Sequence, residues 1–132
     1  MFRLDRGITT AFAVLVILLA SSSADAGSQL PFNAKAFQAE QMAGNAILLE
    51  FHADWCPTCK AQQPILDKLS GEPSFSKIAR FRVDFDAQKD VVKRFKARMQ
   101  STLVLYKGKV EIARSVGDTE EATIRAMLGK AL

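Results

Sequence analysis

Four runs of apolar residues have the length and spacing of β-strands. The run Ala46–His52 (AILLEFH) is almost continuous, which predicts a central strand covered on both faces. The run Ala79–Phe85 (ARFRVDF) alternates apolar and polar residues with the two-residue period of a strand. Thr102–Tyr106 is followed by a Lys-Gly turn and then by Val110–Val116, so these last two strands are predicted to form an antiparallel hairpin.

Helical spacing of apolar residues appears between and around the strands. Asn33 can cap a short first helix, and Gly44 can end it. A second helix is predicted from about Pro57 to Ser70, and Pro64 inside it removes one backbone hydrogen bond and should kink it. A third helix is predicted over residues 86–95.

A last helix is predicted from a cap at Asp118 or Thr119 to the end of the chain. Its apolar residues recur at helical spacing and should face inward: Ile124, Met127, Leu128 and Leu132.

The resulting order of elements predicts an α/β fold. A helical crossover joins the first two strands, which should therefore be parallel, while the hairpin adds two antiparallel strands. The sequence thus predicts a central mixed four-stranded sheet flanked by helices, with Gly27–Pro31 as a short exposed leader.

The N-terminus has the three parts of a secretory signal peptide. Arg3 and Arg6 provide the positive start, residues 11–20 are an apolar run, and residues 21–26 end in Ala24-x-Ala26. We therefore predict a signal peptide over residues 1–26, cleaved after Ala26, and one domain over residues 27–132. The alternative is an uncleaved membrane anchor, but the apolar run is shorter than the roughly 20 residues that span a bilayer.

A chain with this signal peptide is expected in the periplasm or outside the cell, with no stable membrane anchor after cleavage. Its net charge of +4 is mild for 132 residues. The basic residues between positions 89 and 98 are interleaved with Val91, Val92 and Phe95 at helical spacing, which indicates a solvated helix face. We therefore expect no nucleic-acid partner.

The two cysteines, Cys56 and Cys59, are separated by only two residues. A disulfide between them would close too short a loop to stabilise an exported protein, so a redox-active pair is the better interpretation. Cys56 stands where strand gives way to helix, and the helix dipole there favours its thiolate, the nucleophilic form. Cys59, one turn later and more buried, would form the disulfide with Cys56.

A zinc site is the alternative interpretation of these cysteines. Tetrahedral zinc needs about four ligands. Cys56 and Cys59 would have to be joined by His52, the one histidine of the chain, and by a carboxylate such as Asp54. We expect no metal and no other cofactor.

The segment Trp55–Lys60 (WCPTCK), preceded by a strand and followed by a helix that contains Pro64, resembles the active site of the thioredoxin family. The order of elements after residue 27 is similar to the thioredoxin fold without its optional first strand. The Cys-Pro-Thr-Cys motif with a signal peptide resembles exported, periplasmic thioredoxin-like proteins. The resemblance implies a thiol-disulfide oxidoreductase that acts on protein disulfides.

The resemblance also implies roles for neighbouring residues. Glu50 lies six residues before Cys56, where thioredoxins have a buried acid that relays protons to and from the second cysteine, here Cys59. Arg82 lies where they have a lysine near that acid; a simple Glu50–Arg82 pair is the alternative. The expected substrate-binding residues are Trp55, Pro57, Thr58, Ser101 and Thr102.

One position departs from the family pattern. Thioredoxins place a cis-proline before the third strand of the motif, and this chain has Ser101 there. A cis bond without proline costs about 2.5 to 4 kcal/mol, so the Gln100–Ser101 bond is expected to be trans. The Ser101 hydroxyl could then contact the substrate or Cys56.

The leading hypothesis is a reductase of periplasmic protein disulfides that receives electrons from a membrane-borne thiol reductant. Two alternatives remain: the same dithiol acting as an oxidant, or a binding module on this fold, such as a chaperone or a metal carrier that uses Ser101 and His52.

Overall fold

A computed structural model describes residues 27–132, so the predicted signal peptide lies outside the described residues. Strands and helices alternate along that part of the chain up to β4, which is followed directly by β5 and then by the last helix. In chain order the elements are β1 Gln29–Pro31, α1 Ala34–Met42, β2 Ala46–His52, α2 Pro57–Ser70, β3 Ala79–Asp84, α3 Lys89–Arg94, β4 Thr102–Lys107, β5 Val110–Val116 and α4 Glu121–Gly129.

The strands form one mixed sheet in the order β1-β3-β2-β4-β5. Strand β2 is central and runs parallel to β3 and antiparallel to β4, and β4 and β5 form the predicted hairpin. The prediction of four strands was wrong by one, because the supposed leader contains β1. This strand pairs in parallel with β3, with Gln29 opposite Arg80 and Pro31 opposite Arg82.

Strand β1 has no pattern by which it could be recognised. It has three residues, which is too short for a two-residue alternation to stand out, and Leu30 is half-exposed. It ends on Pro31, which an edge strand tolerates because one side of the strand needs no ladder hydrogen bond.

The sheet is covered on both faces, as predicted. Odd-numbered residues of β2, among them Ile47 and Phe51, pack with Phe37 of α1 and Val92 of α3. The other face packs against α2 and α4, with its core formed mainly by Leu48, Leu66, Leu69, Leu103, Leu105, Ile124 and Leu128. Because side chains alternate along a strand, Glu50 projects to the same face as Leu48, beneath α2.

The helix ends follow the predicted caps in α1 but not in α4. The Asn33 side chain accepts a hydrogen bond from the Ala36 amide at 3.0 Å, and Gly44 ends the segment with φ +75°. Helix α4 begins later than predicted, because the Asp118 carboxylate accepts the Glu120 amide in a turn before the helix. Leu132, expected inside, is 72% exposed because the helix ends at Gly129.

Helix α2 is the longest helix between residues 27 and 132, at 14 residues. None of the helices in that range is both long and apolar enough to cross a membrane.

Gly27 lies against the C-terminal end of α2. Its φ is +98°, a conformation that disfavours any side chain, and a Cβ at this position would lie 2.5 Å from the carbonyl oxygen of Ser70. The Gly27 carbonyl also accepts a long hydrogen bond, 3.4 Å, from the Arg80 guanidinium. The start of the described chain is therefore fixed to the same helix that bears the cysteines.

Candidate dithiol site

Cys56 is the N-cap residue of α2 and both cysteines are free thiols. Its own amide donates to the Ala53 carbonyl at 3.1 Å, which sets the turn between β2 and α2. Its sulfur accepts a hydrogen bond from the Cys59 amide, also at 3.1 Å. The sulfur thus lies at the free amides and positive dipole end of the helix, where negative charge is stabilised.

Cys59 lies one turn further along α2 and is 2% exposed. Burial, followed by the hydrogen bond with Cys56, raises the pKa of the Cys59 thiol to about 11. Backbone groups of Ala53 and Ser101 lie beside this sulfur and act in the opposite direction. At neutral pH Cys59 is therefore a protonated, buried thiol that needs a proton acceptor before it can attack.

Trp55 is the exposed neighbour of the cysteines. Its ring is 60% exposed, and its indole N–H donates to a carboxylate oxygen of Asp86 at 2.7 Å. Of the predicted substrate-binding residues on α2, Pro57 is exposed and Thr58 is half-buried. These three side chains form the accessible rim beside two buried sulfurs.

The loop that carries Ser101 faces the dithiol. Ser101 has φ +59°, which costs a residue with a side chain roughly 1–3 kcal/mol and persists only where surrounding contacts impose it. Here its amide donates to the Phe51 carbonyl at 2.8 Å, while its carbonyl accepts from the Gly117 amide at 3.0 Å and from the Gln62 side chain at 3.2 Å.

No peptide bond between residues 27 and 132 is cis, so the Gln100–Ser101 bond is trans, as predicted. The hydroxyl of Ser101 donates to the Gln100 carbonyl at 2.5 Å, and that of Thr102 donates to the Met99 carbonyl at 2.6 Å. Ser101 and Thr102 are 6% and 1% exposed. Their hydroxyls therefore stabilise the loop, and what the loop presents towards the dithiol is backbone.

Glu50 is buried, at 4% exposure, and its principal partner is Arg80 rather than Arg82. Arg80 donates from Nε to a Glu50 carboxylate oxygen at 2.6 Å, whereas Nη2 of Arg82 lies 3.9 Å from the other oxygen. Both arginines share the face of β3 that lies beneath α2, since they are two residues apart. Arg82 is near the acid, as the family resemblance implied, but Arg80 forms the direct ion pair.

The same two arginines attach the cysteine-bearing helix to the sheet. Arg80 also reaches Asp67 of α2 at 3.1 Å, and the Arg82 guanidinium donates to the side-chain oxygen of Gln63. The middle of α2 is thus held to β3 by polar contacts at two successive turns.

His52 pairs with Asp54 rather than with the cysteines. Its Nε2 lies 3.2 Å from an Asp54 carboxylate oxygen. Over residues 27–132, no three histidine, cysteine or acidic side chains converge in a way that could hold a metal ion.

Three residues that define the site were not singled out from the sequence. Arg80 could have been found, since the alternation in β3 puts every second residue on the face of Arg82. Gln62 and Asp86 gave no signal, because their partners are 39 and 31 residues away in sequence.

The model of the thioredoxin family matches residues 28–130. Thioredoxin from Chlamydia muridarum is 30% identical over 92 residues, which cover 70% of this chain and 88% of that protein. Thioredoxin-2 from Saccharomyces cerevisiae is 31% identical over 81 residues, covering 61% of this chain and 76% of its own length.

The crystal structure of Trxlp from Edwardsiella tarda EIB202 has the same fold, with a TM-score of 0.74 and 37% identity, and the match covers 76% of this chain and 98% of that one. The sequence match extends over nearly all of the described domain, and the two cysteines occupy the N-cap and the first turn of the helix that follows the central strand. The chain therefore belongs to the thioredoxin family and is a thiol-disulfide oxidoreductase.

Proposed function

We propose that this protein is an exported reductase that transfers two electrons from Cys56 and Cys59 to disulfides of periplasmic or secreted proteins. The observation that supports this proposal is the asymmetry of the two thiols. The two cysteines are equally buried, but Cys56 accepts an amide hydrogen bond at a helix N-terminus, whereas the pKa of the Cys59 thiol is raised to about 11. Cys56 is thus suited to attack the substrate disulfide, and Cys59 to resolve the mixed disulfide that forms.

In the first step the Cys56 thiolate attacks one sulfur of the substrate disulfide. A bond forms between Cys56 and that sulfur, the substrate disulfide breaks, and the other substrate sulfur leaves as a thiolate that takes up a proton. The exposed rim of Trp55, Pro57 and Thr58 supports the approach of the substrate. The backbone of Ser101 and Thr102 forms the opposite side, which is held by the Phe51 carbonyl.

In the second step Cys59 loses its proton and attacks Cys56. The mixed disulfide breaks, the substrate leaves with its second thiol, and Cys56 and Cys59 are left joined by a disulfide. Glu50 is the proposed proton acceptor, because its carboxyl group is buried beneath the helix that bears Cys59.

Substitution of Glu50 by Gln tests this relay. We expect slower resolution of the mixed disulfide, and a rate that depends more steeply on hydroxide concentration, because water must then remove the Cys59 proton. If Glu50→Gln is folded by circular dichroism and its pH profile is unchanged, Glu50 is not the proton acceptor and its role is the ion pair with Arg80.

Export is supported by the sequence before the domain. The positive start, the apolar run and Ala24-x-Ala26 precede a fold whose first strand begins at Gln29, so cleavage after Ala26 would remove none of the elements described. A reductase in an oxidising compartment needs a source of electrons, for which we propose a membrane-borne thiol reductant. Sequencing the N-terminus of the protein recovered from the periplasm should give Gly27 as its first residue.

The direction of electron flow depends on the reduction potential of the cysteine pair. We expect a value near the −270 mV of thioredoxin, measured by equilibration with glutathione or a reference thioredoxin. A value above about −150 mV would exclude the reductase and support the oxidant, which would use the same two steps in reverse.

The nucleophile and the resolving thiol can be assigned with single substitutions. Cys56→Ser should abolish reduction of protein disulfides, while Cys59→Ser should accumulate the mixed disulfide, visible by mass spectrometry. Accumulation in Cys56→Ser instead would reverse the assignment.

A further inference from the structure

An open groove of about 560 Å³ lies between the loop of residues 96–102 and strand β5. We call it the basic groove, and it is lined by Lys96, Arg98, Met99, Thr102, Arg114 and Val116. Thr102, at one end of the groove, directly follows Ser101, whose backbone lies beside the sulfur of Cys59. The loop that faces the dithiol thus also forms part of the groove.

The walls of the basic groove expose apolar side chains. Met99 on the loop and Val116 on β5 are 55% and 54% exposed. Exposed apolar residues that line a concave surface are typical of binding grooves. These two provide contacts for side chains of any bound segment without selecting its charge.

The positive charges are not balanced within the groove. Glu111, which also lines it, is bound by Arg114 through two hydrogen bonds of 2.8 and 3.0 Å. The hydrogen bonds from Arg114, and to a lesser extent the positive charge of Lys96, hold the pKa of Glu111 below its usual value. Lys96 and Arg98 are exposed, and neither is ion-paired within residues 27–132.

Arg114 adds rigidity to this arrangement. Besides its pair with Glu111 it donates to the Phe95 carbonyl at 2.9 Å, which joins β5 to the residue that precedes the loop. The groove is therefore a preformed surface with two uncompensated cations on one side. A ligand that supplies carboxylates would balance them, whereas a neutral or basic ligand would leave them unpaired.

We propose that the basic groove binds acidic residues of the protein substrate, close in sequence to the disulfide that is reduced. This inference rests on the proposed function and adds the substrate class, namely disulfides flanked by Asp or Glu. The occupant is a peptide rather than a single-stranded nucleic acid, because none of the described residues that line the groove has an aromatic side chain on which bases could stack.

The test compares two matched peptide disulfides that differ only in carrying two Asp or two Asn residues next to one cysteine. The rate of oxidation of the reduced protein is followed through Trp55 fluorescence at low and at high salt. We expect the acidic peptide to react about tenfold faster at low salt, since two exposed charge contacts together provide about that factor. The ratio should fall towards one in high salt.

The double variant Lys96→Gln/Arg98→Gln should reduce the rate ratio between the two peptides to about one. Lys35→Gln/Lys109→Gln is the matched control, because it removes the same charge from exposed lysines outside the groove and should retain the ratio. An equal ratio in both variants would show that the preference reflects net charge only. Equal rates for the two peptides in the unmodified protein would overturn the proposal.

A binding measurement separates this proposal from the proposed function. Versions of the two peptides with Ser in place of Cys cannot react, and their affinities can be compared by fluorescence anisotropy. Tighter binding of the acidic peptide that is lost in Lys96→Gln/Arg98→Gln supports the groove even if the reduction potential excludes a reductase. If the protein reduces a small neutral disulfide normally but binds both peptides with equal affinity, the proposal about the groove is overturned and the proposed function stands. If a labelled single-stranded oligonucleotide binds the groove more tightly than the acidic peptide, the assignment to a peptide is overturned.

Discussion

Arg80 and Glu50 form a hydrogen-bonded ion pair of 2.6 Å in which the two side chains are only 2% and 5% exposed. The pair lies between the central sheet and the helix that bears both cysteines. A buried pair of this kind is costly to assemble, because both charges leave water, but it is more costly to break: without Arg80, the buried Glu50 carboxylate keeps only the weaker contact with Arg82 at 3.9 Å.

Removing Arg80 alone should therefore destabilise the protein strongly. We expect Arg80→Met to lower the free energy of unfolding by about 3–5 kcal/mol, and Arg80→Met/Glu50→Leu to recover most of that loss. Urea denaturation of the reduced proteins measures both values. Lys89→Met, which breaks an exposed pair with Asp86, is the control and should cost less than about 1 kcal/mol. A double variant as unstable as Arg80→Met would show that lost packing causes the destabilisation, and not the removal of the principal partner of Glu50.

The raised pKa of Cys59 makes the stability of the reduced protein depend on alkaline pH. In the unfolded chain the Cys59 thiol loses its proton near the ordinary value of 9.0, whereas in the folded protein it keeps the proton until about 11. The folded state therefore binds more protons in this window, and the stability that Cys59 provides is complete below pH 9 and is lost as the pH rises to 11.

Denaturation of the unmodified reduced protein and of Cys59→Ala, at a series of pH values from 7 to 11, measures this contribution. The difference in unfolding free energy between the two proteins should be constant up to about pH 9 and then decrease. A difference that increases above pH 9 would contradict a raised pKa.

Proline at position 101 should not restore the family pattern. Proline fixes φ near −65°, while Ser101 has φ +59°, and proline lacks the amide that donates to the Phe51 carbonyl at 2.8 Å. We expect Ser101→Pro to cost about 3 kcal/mol or more unless the loop rearranges. Ser101→Gly keeps the amide and adopts positive φ readily, so it should change stability by less than about 1 kcal/mol. A Ser101→Pro protein as stable as the unmodified one would show that the loop adopts a second backbone conformation.

Asp86 should fix the orientation of Trp55 at the rim of the site. In Asp86→Ala the indole N–H loses its acceptor at 2.7 Å, so we expect faster motion of the ring and lower steady-state anisotropy of its fluorescence. Trp55 is the one tryptophan of the chain, so the signal needs no correction for other residues. Asp86→Asn keeps an acceptor oxygen and should retain most of the anisotropy; equal losses in both variants would indicate that the charge of Asp86 matters rather than the hydrogen bond.

The sequence predicted those elements whose patterns are long and local. Strands β2 and β5 and helix α2 have the predicted bounds, because a continuous apolar run, a Lys-Gly turn and a proline at the first helical position are signals within a few residues. Strand β1 was missed because only its pairing with β3, some fifty residues away in sequence, defines it as a strand. Its three residues carry no strand pattern of their own.

The site could be predicted as far as its residue types follow a motif. The positions of Cys56, Cys59 and Glu50 were predicted, and Arg82 was expected near Glu50, but the direct ion pair with Arg80 was not foreseen, since the resemblance identifies positions and not side-chain geometry. Positive φ at Ser101 could not be foreseen, because three hydrogen bonds from β2, α2 and the end of β5 impose it together.

The close packing of Gly27 on the Ser70 carbonyl, 2.5 Å from where a Cβ would stand, has a consequence for the proposed maturation. In that proposal Ala24 and Ala26 are the small residues before the cut, and Gly27 becomes the first residue of the mature chain. The folded domain restricts position 27 to glycine, because any side chain there would collide with the Ser70 carbonyl. The proposed cleavage site would thus lie directly before a residue that the C-terminal end of α2 restricts to glycine.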